Sequence, residues 1–379
     1  MQTTAANASV HGANATGLAL SGGGFRATLF HIGGIIRLNE LGWLKRVSTV
    51  TGCSGGAINA AWLGLCWKRL EFNAGGTATN LDEVYIQPLR KLCRGNHDVW
   101  PSLANMAAML IGLHSDALVH AWRRCLFGDA TLGDLPVEGA GPRVVICTSN
   151  LATGAEVHFS RDEVRDARLG SMQLPETSLA RIVAASSAFP PFLSPCIVRT
   201  DPARWQPAPG ADLHNEEQLK RRLLLTDGGV HDPLGLEPVR GCTTLLISDA
   251  TVTREVWRTT SSFWIRQLGR TTIIQTIANS RRVAREMVEK MKASGSDRRI
   301  AHWCNAGSID AFGLDDALAR DSDITREMGE MRTRLNCFSP REQDRLINWG
   351  YATCDAAMRS GPQTDATPGR LPVPDTGLK

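Results

Sequence analysis

The sequence contains no Cys-x-x-Cys pair among its ten cysteines, no His-Glu-x-x-His and no complete calcium loop. In a chain of 379 residues, scattered cysteines read as reduced core residues, not as a disulfide framework or a zinc site. Asp321-Ser322-Asp323 is too short a match for calcium. No metal and no other cofactor is therefore expected. No run of about 18 uninterrupted apolar residues occurs, so no membrane-spanning helix is expected. The opening MQTTAANASVHGANATGLAL lacks the basic start and long apolar stretch of a secretory signal, which points to a cytoplasmic protein. No internal repeat is found.

Hydrophobic residues make up 42% of the chain and charged residues 21%, which excludes global disorder and supports a sizeable core. The length fits two to three domains or one large α/β unit with insertions. The net charge of +4 is uneven: residues 251–299 hold eleven Lys or Arg against four Asp or Glu. The excess is a local patch with no recognised binding module beside it, so nucleic acid is not an expected partner.

Residues 1–16 are polar and Ala-rich and read as a flexible leader. Gly17–Ser21 reads as a short buried strand, followed at once by Gly22-Gly23-Gly24. Apolar residues from Arg26 to Leu41 recur at helical spacing, and Gly42 closes that helix. Val47–Thr51 is β-branched, and a small-residue helix follows Ser54. Strand, turn and helix repeated twice within fifty residues predict a mostly parallel sheet with helices on its faces. Further strands are expected at Arg143–Thr148, Glu156–Ser160, Leu223–Thr226 and Thr244–Ser248. Helices are expected near Glu176–Ser186, Ile273–Lys292 and Pro340–Met358. Residues 73–127 read as a helical insertion or cap and 200–222 as a surface loop. The proline-bearing residues 359–379 read as a disordered tail.

Thr51-Gly52-Cys53-Ser54-Gly55-Gly56 is a Gly-x-Ser-x-Gly between a strand and a helix. A serine on such a turn projects its hydroxyl from the sheet edge beside the positive end of the next helix. Without that context the five-residue pattern is only a Gly-rich turn. Gly22, Gly23 and Gly24 would offer unobstructed backbone N–H groups to an oxyanion. The same segment, Gly22-Gly23-Gly24-Phe25-Arg26-Ala27, also satisfies a dinucleotide-binding pattern. That reading requires an acidic residue at the end of the second strand, where Thr51-Gly52-Cys53-Ser54 stands instead. Asp227-Gly228-Gly229 follows an apolar strand, which in a parallel sheet would bring Asp227 to the same edge as Ser54; taken alone, Asp-Gly-Gly is more often a turn.

These three motifs, in this order, resemble those of the patatin-like phospholipases and the related catalytic domains of cytosolic phospholipases. Ala184-Ala185-Ser186-Ser187-Ala188-Phe189-Pro190-Pro191-Phe192 is a fourth likeness, and Ser21–Ala27 is similar to the cytosolic phospholipase form of the loop. The resemblance covers about Gly17 to Ser248. It implies a three-layer α/β/α fold over residues 17–358, a mostly parallel central sheet, and a lipid acyl hydrolase of the phospholipase A or lysophospholipase type. It also implies a Ser54–Asp227 dyad without histidine, in which Asp227 takes the Ser54 proton and an acyl-enzyme forms. Arg26 would bind a lipid phosphate or anchor the loop.

His231 and His302 are the histidines that would complete a triad of α/β-hydrolase type. Rival activities are an acyltransferase or a triacylglycerol lipase on the same residues, a catalytically silent lipid-binding protein, and a dinucleotide-dependent oxidoreductase. For access to lipid, Trp100, Met106, Met109, Leu110, Ile111 and Leu113 read first as a core-packing helix and second as an interfacial one. Arg254, Arg258, Arg266, Arg270, Arg281, Arg282 and Arg285, interleaved with Trp257, Phe263 and Trp264, read as a solvated face or as a peripheral contact with anionic membrane.

Overall fold

The structure is a computed structural model and describes residues 15–110, 116–190, 193–251 and 298–378, with scattered positions between 267 and 289. Its strands are, in chain order, β1 (Thr16–Leu20), β2 (Val47–Cys53), β3 (Arg143–Asn150), β4 (Ala155–Phe159) and β5 (Val164–Asp166), then β6 (Gly170–Met172), β7 (Cys196–Arg199), β8 (Arg222–Asp227), β9 (Thr244–Asp249) and β10 (Arg299–Cys304). The helices used below are α1 (Gly24–Glu40), α2 (Gly55–Cys66), α3 (Gln87–Leu92), α4 (Val99–Leu110) and α5 (Ala117–Trp122), then α6 (Leu179–Ser186), α7 (Glu217–Arg221), α8 (Asp323–Glu330) and α9 (Pro340–Arg359).

The centre of the sheet is parallel, in the order β10-β9-β1-β2-β3, and β4, β5 and β6 extend it as an antiparallel meander. Alternation along β1 shows why both faces must be covered. Leu18 and Leu20 enter the large core with α1, α2, α6 and α9, whereas Ala19 joins a smaller cluster of Leu234, Leu236, Val239, Leu245 and Ile247. The helix expected at Ile273–Lys292 lies mostly outside the described residues, as do the arginine and aromatic stretch from Arg254 to Arg266 and leader residues 1–14.

The register around β3 positions the site. β2 runs parallel to β3 and its last rung pairs Cys53 with Cys147. β4 occupies the opposite edge of β3 from Ile146 to Asn150, so β8 must use the edge that β2 has vacated. There β8 runs antiparallel and ends with Asp227 opposite Thr148. Two strands thus approach one edge of β3 from opposite directions, and their C-terminal ends meet. The expectation that Asp227 reaches Ser54 on a parallel strand is corrected: the encounter is head to head.

Three other expectations change. The tail after Arg359 is packed, not disordered. Its backbone meets buried polar groups of α9 and α1: Asn348 Nδ2 donates to Val373 O at 2.8 Å and Thr376 O at 2.7 Å, and Arg37 Nη2 donates to Thr367 O at 2.6 Å. The prolines deny the tail a helix, and side-chain partners replace the lost ladder. Residues 200–222 are largely exposed, as a surface loop would be, but carry α7 and end in the first residue of β8. In the 73–127 segment, whose described residues are mostly helical, Trp100 is 78% exposed and Leu103 51%, against the core-packing reading for Trp100. The side chains of Met106, Met109 and Leu110, and residues Ile111 and Leu113 altogether, lie outside what is described.

Candidate active site

Ser54 stands between β2 and α2 at φ 51° and ψ −116°, and among the described residues it alone combines a side chain with a positive φ. Such backbone costs roughly 1–3 kcal/mol and persists only where its surroundings fix it. Here the Ser54 N–H donates to Ser186 Oγ at 2.9 Å, and the Ser186 hydroxyl donates to Cys147 O at 2.7 Å. The Ser54 turn, the end of α6 and the last β2–β3 rung are thereby tied together. Gly56 allows α2 to start flush against the neighbouring loop, since a Cβ there would fall 2.7 Å from Ser21 O. The Ser54 hydroxyl consequently sits at the N-terminus of a twelve-residue helix, where developing negative charge is favoured.

Asp227 is buried, and its carboxylate receives the Gly229 N–H at 2.7 Å on Oδ1, the Cys53 thiol at 3.7 Å on the same oxygen, and the Ser54 side chain. Burial pushes the Asp227 carboxyl up to about 6, and those three donors limit the rise. The sequence therefore brings its serine and aspartate, 173 positions apart, into one contact.

The three glycines are not equivalent. The Gly22 N–H is spent on Pro233 O at 2.9 Å, which removes it from the expected oxyanion group. Gly23 and Gly24, at φ 144° and 57°, have no hydrogen-bond partner for their N–H groups among the described residues. The next amide, Phe25 N–H, is taken by Arg334 O at 3.0 Å. Two loop amides remain, and the loop backs onto the serine turn, since a Cβ on Gly55 would lie 3.0 Å from Gly24 C. Gly22 keeps a steric role, because a Cβ there would lie 3.3 Å from Ser54 Cβ.

Arg26 is fully buried; its Nη1 donates to Met331 O and its Nη2 to Ala250 O, both at 2.7 Å. Of the two roles expected for it, phosphate binding and loop anchoring, these two carbonyl contacts favour anchoring. Behind the same loop, His31 accepts from Ser248 Oγ at Nδ1 and donates from Nε2 to Ser21 O, at 2.7 and 2.9 Å. Burial lowers its pKa to about 4, which keeps the ring neutral.

Neither candidate triad histidine faces the serine. His231 Nδ1 lies 3.0 Å from Glu156 Oε1, and His302 Nε2 lies 3.3 Å from Asp249 Oδ2. Burial would raise the Glu156 carboxyl, but hydrogen bonds from His158 and His231 outweigh it and hold the group at about 2. Glu156 is thus fully engaged with those two rings. Sequence reasoning missed two residues at the site, Ser186 and Cys53. The small-residue run Ala184–Ala188 carried a signal for the first, and the second was hidden inside the nucleophile motif.

Among solved structures, the chain is similar to human GIVD cytosolic phospholipase A2, at 13% identity and a TM-score of 0.48, over 92% of this chain and 62% of that one. VipD from Legionella pneumophila is similar at 15% identity and a TM-score of 0.37, over 92% of this chain and 67% of that one. This chain therefore spans less than two thirds of the human protein's length. No curated protein sequence matches it. The family profile described as patatin-like phospholipase matches residues 18–240, a span that takes in the Gly22–Gly24 loop, the Ser54 turn and the Asp-Gly-Gly turn. The chain belongs to the patatin-like phospholipase family.

Proposed function

We propose that the protein is a lipid acyl hydrolase of the phospholipase A or lysophospholipase type, acting through Ser54 and Asp227 without histidine. Family membership supports hydrolysis of lipid esters. The observation that carries the finer reading is the contact of a strained serine with a buried carboxylate, next to a glycine loop that keeps two unpartnered amides. Asp227 takes the Ser54 proton as Oγ attacks the ester carbonyl, and the Gly23 and Gly24 N–H groups bind the resulting oxyanion. Collapse of the tetrahedral intermediate breaks the ester C–O bond, and the proton held by Asp227 passes to the leaving alkoxide. Water then attacks the acyl-enzyme with Asp227 again as base, releasing the fatty acid and restoring the serine. The substrate is an acyl lipid, and no metal or cofactor enters these steps.

Product analysis tests the proposal. Purified protein incubated with defined phospholipids and lysophospholipids is expected to release free fatty acid and the complementary deacylated product. Absence of acyl release from every phospholipid, lysophospholipid and simple ester offered would overturn it.

A pH dependence follows. A base works only when ionised, so kcat/KM should fall tenfold per pH unit below about 6, where the Asp227 carboxyl is placed. An acid limb near pH 4, where an unperturbed carboxylate titrates, would show that burial does not set this base. A soluble p-nitrophenyl ester serves for the profile, since it avoids effects of pH on a lipid surface.

A further inference from the structure

The thiol at the last position of β2 touches the base and has no place in the mechanism above. Cys53 pairs with Cys147 on β3, and Asp227 pairs with the next β3 residue, Thr148. The two side chains thus come from consecutive rungs of one strand edge, reached from opposite directions. Cys53 Sγ lies 3.7 Å from Asp227 Oδ1, the oxygen that also receives the Gly229 N–H. Sγ is also where the working loops converge. A Cβ would fall 3.6 Å from it at Gly22, 3.0 Å at Gly228 and 3.7 Å at Gly229. One sulfur atom borders the oxyanion loop and the turn after the base, and its own backbone continues into the nucleophile.

Burial first, and the neighbouring Asp227 charge second, push the Cys53 thiol well above its usual range. It therefore stays an S–H donor throughout the range in which Asp227 is ionised, and it is neither a nucleophile nor a ready target for oxidation. A carboxylate accepts and never donates when ionised, so two donors on Oδ1 fix its rotation. Oδ2 is then the oxygen free of those two contacts.

We infer that Cys53 is a positioning residue for Asp227, its thiol and the Gly229 N–H together gripping Oδ1 so that the carboxylate is presented, charged, to Ser54. The inference rests on Asp227 being the base. The ionisable groups around this pair are few. Cys147 on β3 and Asp232 beyond the Asp-Gly-Gly turn act on Cys53, and both raise its pKa. Asp232 is itself held by the N–H groups of Leu234 and Leu236, at 3.0 and 2.6 Å. Glu156 and His231 are paired with each other, 3.0 Å apart, and no cation neutralises Asp227 among the described residues. Donors to the charged form are accordingly what keeps the carboxylate ionised against its burial.

The test is the acid limb of kcat/KM in wild type, Cys53→Ala and Cys53→Ser, measured on a soluble p-nitrophenyl ester. Cys53→Ala removes the donor and should move the limb up by about half a pH unit, because S–H is a weak donor. Relative to wild type, the variant should then lose about threefold more activity at pH 5 than at pH 8. Cys53→Ser keeps a donor and should leave the limb at, or below, the wild-type position. The rate of inactivation by a fluorophosphonate, followed against pH, gives the same limb from small amounts of poorly folding variant. Coincident limbs in wild type and Cys53→Ala, or equal upward shifts in Ala and Ser, would overturn the inference, since a spacer role changes the rate without separating the two variants. Failure of the base assignment looks different: the acid limb would survive in Asp227→Asn.

Discussion

Ser54→Ala and Asp227→Asn should each lower kcat/KM on an acyl ester by about a thousandfold or more, with both proteins folded. The first removes the oxygen proposed to form the acyl-enzyme, so only oxyanion binding and substrate placement would remain. The second keeps the shape of the site, because asparagine Oδ1 still accepts the Gly229 N–H that Asp227 receives at 2.7 Å. What it loses is the proton acceptor. Since the two side chains act as one unit, the double variant should be scarcely worse than either single one. Burial of Asp227 supplies a control that loss of folding cannot mimic. Its carboxyl is raised to about 6, so the folded state binds the proton more tightly than the unfolded chain does. The stability this brings is complete below the unfolded pKa near 4 and is lost as pH rises through 6. Above pH 6 the wild type carries a buried charge that its donors offset only in part, costing on the order of 3 kcal/mol. Asp227→Asn carries none. It should melt at a higher temperature than wild type at pH 8 while being nearly inactive, and the two melting temperatures should converge toward pH 4. Full activity in Asp227→Asn, with loss in His231→Ala or His302→Ala, would reverse the base assignment. The pairing of those histidines with Glu156 at 3.0 Å and Asp249 at 3.3 Å argues against that outcome.

The parts of this site that sequence made legible are those whose chemistry is local. A strand of five to seven residues, a glycine-bounded turn and a small-residue helix can be recognised without knowing what lies across the sheet. Ser54, Gly23, Gly24 and Asp227 were singled out on that basis, and β1, β2, β3, β4, β8 and β9 lie close to where alternation and β-branching placed them. What stayed hidden depends on register. The direction of β8 is set by which stretch of β3 remains unpaired after β2 and β4 have bound it, and no local pattern carries that information. The same holds for Gly22, identical in composition to its neighbours but committed to Pro233 O from a loop more than two hundred positions away. Arg26 stayed open between two roles because an arginine after a glycine loop invites an anion as readily as it anchors the loop. Here two backbone carbonyls, Met331 O and Ala250 O, take its Nη1 and Nη2. β5, β6 and β7 have three, three and four residues and are too short to show a period. The tail was misread for a related reason: proline excludes regular structure but not burial, and Leu378 is only 2% exposed.

Gly33→Ala and Gly350→Ala should be among the most destabilising single methyl additions this protein can receive, although neither residue approaches the site. α1 and α9 cross with their backbones in contact at these two glycines. A Cβ on Gly33 would lie 2.5 Å from Tyr351 N and closer still to Ile347 O. One on Gly350 would lie 2.8 Å from Phe30 C and closer to Phe30 O. Helix propensity points the other way, since alanine is favoured over glycine by about 1 kcal/mol in a helix interior. Crowding wins because the obstructing atoms are main chain and cannot rotate aside. The helices must separate, and close-packed interiors transmit that shift to their neighbours. α1 begins at Gly24, so separation also drags on the two amides proposed to bind the oxyanion. A cost of about 3 kcal/mol or more is expected for each substitution, against 1–3 kcal/mol for ordinary overpacking. For a chain of this size about 3 kcal/mol corresponds to a fall in Tm of about 4 °C. Calorimetry or dichroism melts of the two variants measure it, with Gly154→Ala as a comparison: its added Cβ meets nothing within 4 Å, so only the strain of its positive φ, 69°, is felt. If the two helix variants melted with or above that comparison, propensity would have outweighed contact and the crossing would have to be looser than the structure places it. If they melt well below it and the survivors lose kcat/KM at temperatures where they remain folded, the α1–α9 crossing fixes the position of the oxyanion loop as well as the stability of the sheet beneath it.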